Sequence, residues 1–404
     1  CSTFVLGLIY LNISINYGRL SHAVAWDDIV YVATAFKRVD ILMKSGLYDF
    51  FLSWGNPVPH SIYSEATAVV SIILFGLNDF GFYATNLIPL ISTYIFLYFT
   101  FKNTEQFAFL LIFAFAMCSP IPYVLIENFR PDLVLGLATT AMAWWILRAI
   151  IFGQHRDLLW GGLAFAAALL IKPTFFAHTM AVASGLSILG IAVELHKGMT
   201  DQEYQPTPLQ ALKYLLLGLL IASPYYIAAN QQIWTHFWVN TRGAQAHLWS
   251  FSEELSSYQV LLTYINNGYL KHGGMLVPAA SIVTLVLCPT LYIYGKQREA
   301  IMAALLLIIA TCSFAVMVFG RHKNEFFFSS FHMLTILSAI YSISVASLVL
   351  KDKKKNALYF AAAATLILTT SQNYKFLKTD NRQENLRSQS ENKSIATQIT
   401  TKLA

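Results

Sequence analysis

Apolar residues dominate this chain in long runs, broken by short polar stretches. Runs of about 20 apolar residues are long enough to cross a bilayer as helices. They fall near 1–17, 83–101, 107–125, 132–151, 157–171, 174–194, 212–229, 275–295, 300–319, 327–349 and 357–371. The run 157–194 is long and is interrupted at "IKPT", 171–174. Pro173 lacks a backbone donor, so one helix should end there and another begin. A different pattern follows the first run. Ile29, Val32, Phe36, Val39 and Met43 recur at spacings of three and four, which predicts an amphipathic helix with one apolar face. Lys37, Asp40 and Lys44 share another face, and Gly46 suits a C-terminal stop. Such a helix would lie along the membrane surface. The run 62–77 is apolar but short and contains Glu65. It reads as a juxtamembrane or partly buried helix on the outer face.

Composition agrees with that pattern. Of 404 residues, 56% are hydrophobic and 12% charged, with a mean hydropathy of +0.54. A soluble domain carries about a quarter charged residues. The expected fold class is therefore an all-α polytopic membrane protein of about 11 spans. Residues 1–371 would form one transmembrane unit, with 18–82 as a long first outer loop carrying surface helices. Residues 372–404 are polar and read as a disordered outer tail, truncated if a soluble domain follows. The chain begins at Cys1 without Met, which suggests a missing N-terminus; a lipidated Cys1 is the lesser option. Cys118, Cys288 and Cys312 lie in or beside apolar runs and form no metal or disulfide pattern.

The net charge of +6 is less informative than its placement. Lys102, Arg148 with Arg156, His196 with Lys197, Lys296 with Arg298, and Lys351 with Lys353, Lys354 and Lys355 all fall on one side if the spans alternate. By the positive-inside trend that side is the cytoplasm. The other side receives 18–82, "ENFRPD", the Lys172–Pro173 turn, 230–274 and "GRHKNEF".

Three clusters on that outer side carry candidate chemistry. Asp27 and Asp28 begin the amphipathic helix. They could simply cap it, since a helix N-terminus favours anions, although a cap needs only one acid. Glu127, Arg130 and Asp132 bunch at the junction of two spans. Pro131–Asp132 is also an ordinary helix start, but charges at a membrane border that share a cavity mark functional paths. Arg321, His322 and Lys323 run against the positive-inside trend. They suit a phosphate or diphosphate partner, or else lipid headgroups. Lys172, in a tight turn on the same side, could add a cation or could snorkel from a helix end. The stretch 230–274 holds Trp234, His236, Trp238, Arg242, His247 and Trp249. Those aromatics fit an interface belt or a sugar platform, and the histidines lack metal-ligand spacing.

In order along the chain, "WDDIVY", "GNPVPHSIY", "LFGLNDFGFYATN", "FRPDLVLG", "LLIKPTFF" and "FGRHKNEFF" resemble segments of the GT-C membrane glycosyltransferases. The likeness is to the branch of protein O-mannosyltransferases and lipid A aminoarabinose transferases. It covers most of residues 1–350, and each motif is weak alone. This chain has Asp28 where such proteins often have Glu, and "NPVP" lacks the Lys or Glu that some carry before Pro.

The resemblance implies a GT-C-like bundle in the plasma or inner membrane, with its active site facing the periplasm or outside. It implies transfer of a sugar from a polyprenyl-phosphate donor to a lipid, protein or glycan acceptor. No nucleic-acid partner is expected; membrane lipids are. Such a reaction needs an acceptor oxygen stripped of its proton and positive charge at the departing phosphate. Asp27 is the expected base, with Asp28 and Asp132 orienting the acceptor or holding a divalent metal ion. Tyr31, Arg130, Lys172, Arg321, His322 and Lys323 are the expected substrate-binding residues. One base facing a phosphate leaving group implies inversion, unlike glycosidases that work with two carboxylates. The alternatives are a flippase or ligase for polyprenyl-linked glycans, or a secondary transporter. A transporter would be expected to show inverted repeats and midplane charges on broken helices, and neither is visible.

Overall fold

A computed structural model of the chain describes residues 27–55, 61–85, 87–102, 131–173, 176–197, 208–243, 251, 254–266, 275–321 and 328–380. Among these residues the secondary structure is entirely helical. In chain order the helices are α1 (Asp27–Ser53), α2 (Ile62–Phe75), α3 (Asp79–Ala84), α4 (Leu87–Phe101), α5 (Asp132–Phe152), α6 (His155–Ile171) and α7 (Phe176–Lys197). They continue as α8 (Pro208–Thr241), α9 (Ser257–Tyr264), α10 (Leu276–Ile293), α11 (Gln297–Gly320), α12 (Ser329–Val349) and α13 (Asp352–Asp380).

Six stretches among the described residues are long and apolar enough to cross a membrane: Phe80–Phe101, Asp132–Phe152, Gln210–Val239, Leu276–Ile293, Gln297–Gly320 and Ser329–Val349. They coincide with six of the runs expected from the sequence. The expected spans 1–17 and 107–125 lie outside the described residues. The helices α6, α7 and α13 occupy the places of the other three, so the count of eleven is met only in part. Helix α6, with 17 residues, is about 25 Å long.

The breaks fall where backbone chemistry puts them. Helix α6 stops at Ile171, before the Lys172–Pro173 turn, and α7 starts at Phe176. Gly153 and Gly295 take positive φ values of 72° and 76° at the α5–α6 and α10–α11 turns. Gly46 breaks α1 with φ 86° and ψ −177°, a conformation open to glycine and costly for other residues.

Helix α12 is the centre of the bundle. It is buried along most of its length and packs against α5, α10 and α11. Several of its serines bond inside the bundle: Ser338 Oγ donates to the Ala303 carbonyl at 2.7 Å and lies 3.1 Å from Thr284 Oγ1. Buried hydroxyls that bond locally or to a neighbouring backbone avoid the cost of an unmet polar group in an apolar interior. Helices α6 and α8 approach very closely through Gly162 and Gly218. A Cβ at either position would lie 2.4 Å from a backbone oxygen of the facing helix.

Three expectations need correction. The face of α1 that packs on α2 carries Tyr31, Ala35 and Arg38, which are buried. The expected apolar stripe is split: Val32 and Val39 are half-buried against the α1–α2 contact, while Phe36 and Met43 are 46% and 79% exposed. The stretch 230–241 is not loop: α8 continues through it, with Trp234 and Trp238 stacked one turn apart at 6.5 Å. The i, i+4 spacing of its aromatics sustains the helix beyond the apolar run. The tail is helical as far as Asp380.

Candidate functional site

Ends of α2, α5, α6 and α12 and the middle of α8 meet around one buried ion pair. Asp132 is the first residue of α5 and is fully buried. Helix α5 starts after Pro131, as a helix-start motif predicts, yet no side chain caps it. The Asp132 carboxylate turns instead to Lys172, whose Nζ donates to Oδ1 at 2.6 Å. Lys172 owes its position to the break at Pro173, which leaves it just beyond the end of α6. Its side chain is only 12% exposed, so it pairs rather than snorkels.

The surrounding backbone is tied down from three sides. Ser329 Oγ, at the start of α12, donates to the Asp132 carbonyl at 2.6 Å. Gly136, one turn into α5, allows that approach, because a Cβ there would lie 3.0 Å from the Ser329 backbone and from Met333 Sδ. Ser61 caps α2 and its Oγ donates to the Ile171 carbonyl at 2.6 Å. Tyr226 of α8 donates to the Leu169 carbonyl at 2.8 Å. Every bond closes on residues beside Asp132 or Lys172. The second carboxylate oxygen, Asp132 Oδ2, accepts no hydrogen bond among the described residues. A buried acceptor without a donor is costly.

Next to the Lys172–Pro173 turn opens a cavity of about 310 Å³. Pro173, Phe176, Tyr226, Asn230, Trp234 and Phe237 line it. It is mainly aromatic, and its far wall is the part of α8 that extends past residue 229.

A second buried pair joins α1 to α2. Arg38 Nε donates to Glu65 Oε1, and Arg38 Nη1 donates to Ser53 Oγ at 3.0 Å. The guanidinium also lies 4.3 Å from the centre of the Trp54 ring. Glu65 belongs to α2, outside the spanning helices. Burial pushes its carboxyl above the ordinary value, against the opposing hydrogen bond and charge of Arg38.

The expected site residues fare differently. Asp132 and Lys172 are brought together as described. Tyr31 is buried in the α1–α2 contact. Arg321 ends α11 with φ 53°, and its Nη2 donates to the Leu255 carbonyl at 2.6 Å. Its own carbonyl accepts from the Phe251 N–H at 2.8 Å, so Arg321 anchors the segment before α9. Asp27 and Asp28 begin α1, but their side chains lie outside the described residues, as do Glu127, Arg130, His322 and Lys323. Among the described residues no three His, Cys, Asp or Glu side chains come together as a metal site. Hard divalent cations take six or more oxygen ligands; Asp132, with Lys172 on one oxygen, offers one. The described residues do not fit a metal centre.

Ser61, Ser329, Gly136, Arg38 and Tyr226 were not singled out from the sequence. Each acts through a contact distant in sequence, and only Arg38, a cation within an amphipathic helix, carried any signal.

Residues 60–228 match the family described as dolichyl-phosphate-mannose-protein mannosyltransferase. In structure the chain is similar to ArnT from Cupriavidus metallidurans in its apo state, with 13% identity and a TM-score of 0.57. That match covers 93% of this chain and 74% of ArnT. ArnT from the same organism bound to undecaprenyl phosphate matches at 16% identity and a TM-score of 0.55, over 96% and 73% of the two chains. This chain has the GT-C membrane glycosyltransferase fold. The match of 60–228 runs from the turn before α2 to α8, and so contains Glu65, Asp132, Lys172 and Tyr226. No curated protein matches the chain in sequence.

Proposed function

We infer that the chain transfers a sugar from a polyprenyl-phosphate-linked donor to a lipid, protein or glycan acceptor on the outer face of the membrane. The observation that carries this reading is the buried Asp132–Lys172 pair. It lies where four helix ends and the middle of α8 converge, on the fold of a protein described bound to undecaprenyl phosphate. A GT-C bundle needs such a polar centre at one border of its apolar helices, because the bond to be broken joins a charged phosphate to a polar sugar.

Asp27 serves as base. It takes the proton of the acceptor hydroxyl while that oxygen forms its bond to the anomeric carbon. The sugar–phosphate bond breaks on the opposite face, its electron pair stays with the phosphate, and the configuration inverts. Cations hold the departing charge. Lys172 stands beside the aromatic cavity, and Arg130, Arg321, His322 and Lys323 are its companions in this reading. Asp132 holds Lys172 in place, and its second oxygen, Oδ2, can accept from an acceptor or sugar hydroxyl. Asp28 orients the acceptor. The active site faces the outside of the plasma or inner membrane.

The test is transfer from a synthetic polyprenyl-phosphate sugar by the protein in lipid nanodiscs. Asp27→Asn should abolish transfer while melting like the wild type. Full activity in that variant removes Asp27 as the base. A wild-type protein that cleaves no donor with any acceptor class sinks the reading as a whole.

A further inference from the structure

The Arg38–Glu65 pair has no part in the chemistry above, and stability does not explain it. A buried Arg–Glu pair loses much of its attraction to desolvation, and apolar residues of the same size often pack as well or better. What the pair supplies is direction. The planar guanidinium offers donors in a fixed fork, and here each prong meets a different segment. Nε holds Glu65 of α2, and Nη1 holds Ser53, beyond the Gly46 break in α1. The flat face meets Trp54. Arg38 thus sets the angle between the two halves of α1 and the seat of α1 on α2.

The start of α2 reaches the site, and α1 begins at the acids that this reading brings to it. Asp27 and Asp28 start α1; Arg38 is eleven residues after Asp27, about 16 Å along the helix. Ser61, at the start of α2, bonds the Ile171 carbonyl next to Lys172. The path Asp27–α1–Arg38–Glu65–α2–Ser61–Ile171–Lys172 is therefore helix or hydrogen bond at every step. We propose that Arg38 and Glu65 are positioning residues: their buried pair fixes the acids at the start of α1 relative to the Asp132–Lys172 centre.

The role rests on the glycosyl-transfer reading, so the test has one arm that needs no turnover. Nitroxide labels at Lys37→Cys and Arg156→Cys, both exposed positions, are placed in an otherwise cysteine-free protein. Electron–electron distance measurements then report how α1 sits on the bundle. Arg38→Met with Glu65→Leu removes the fork while keeping apolar volume. It should broaden or shift the distance distribution, whereas Glu65→Gln, which keeps an acceptor for Arg38, should preserve it. In the kinetic arm, the double variant should lose about 100-fold in kcat, as a displacement of about 1 Å can cause. Its melting temperature and donor KM should stay near wild type, and Glu65→Gln should restore most of the rate. Arg38→Lys, which keeps the charge without the fork, covers the case in which the double variant does not fold; it too should broaden the distances. Unchanged distances in the folded double variant, or in Arg38→Lys where the double variant does not fold, overturn the positioning role. So does a wild-type kcat in the same variant. Absent turnover in the wild type counts against the glycosyl-transfer reading alone, and the distance arm still decides the pair.

Discussion

Lys172, just beyond the end of α6, donates to Asp132, the first residue of α5, at 2.6 Å in a place where Asp132 has no solvent contact. Forty residues separate the two in sequence. Each is held by backbone that another helix ties down. Such a pair is worth little as a net source of stability, yet losing one partner leaves a buried charge. Lys172→Met or Asp132→Leu alone should therefore cost about 3–5 kcal/mol, and the two together should recover most of that loss. Unfolding in detergent micelles measures it. Transfer should stay lost in all three variants. A double variant that is both stable and active would reduce the pair to a packing device.

The contact between α6 and α8 yields a second expectation. At Gly162 a Cβ would lie 2.4 Å from the Tyr214 carbonyl oxygen, and at Gly218 a Cβ would lie 2.4 Å from the Gly162 carbonyl oxygen. Neither obstacle is a flexible side chain, so the helices must part. Gly162→Ala or Gly218→Ala should destabilise the protein by about 1–3 kcal/mol, the usual cost of overpacking. Because Tyr226 of α8 holds the Leu169 carbonyl near the site, activity should fall as well. Gly185→Ala is the control, since nothing lies within 4 Å of a Cβ there. Melting curves of the three variants decide the point.

Much of the fold was legible in the sequence because local backbone chemistry sets it. Pro173 ends α6 within a residue of the expected place, Gly46 breaks α1, and Pro131 precedes α5. Charges beside Pro131 and Pro173 at the borders of apolar runs marked Asp132 and Lys172 as separate candidates. Their pairing was not legible, because it depends on how two helices meet. The Arg38–Glu65 contact is of the same kind. Periodicity read α1 only in part: spacings of three and four group its apolar residues but do not say which of them a neighbouring helix covers. The run ending at 229 gave no warning that α8 continues to Thr241, since its extension is aromatic and polar rather than aliphatic.

Glu65 offers a test by pH. Burial raises its carboxyl above the ordinary value, with Arg38 pulling the other way. The folded chain therefore keeps this proton to higher pH than the unfolded chain does. Linkage gives the sign: between the two values the folded state binds more protons, so stability falls as pH rises. The contribution is complete below the ordinary carboxylate value and is lost as pH climbs through the raised one. Thermal melting of the wild type across that window should show the decline, and Glu65→Gln should lack this component. The same decline in both proteins would assign it to another group.

The orientation of the bundle is testable through two exposed lysines. Lys37 lies on α1, which the charge pattern places outside, and Lys353 lies in the basic stretch at the start of α13, which it places in the cytoplasm. The separation follows from where Lys and Arg gather between spans, together with α2 being too short to cross: its 14 residues reach about 21 Å, against a hydrocarbon core of about 30 Å. If α2 did cross, every later loop would change sides relative to Lys37. Lys37→Cys and Lys353→Cys, each in a cysteine-free protein, should react with a membrane-impermeant maleimide from opposite sides. In intact cells or spheroplasts only position 37 should label, and in inverted vesicles only position 353. Labelling of both from one side would make α2 a span and place the Asp132–Lys172 centre on the opposite side from Lys37 and the acids at the start of α1.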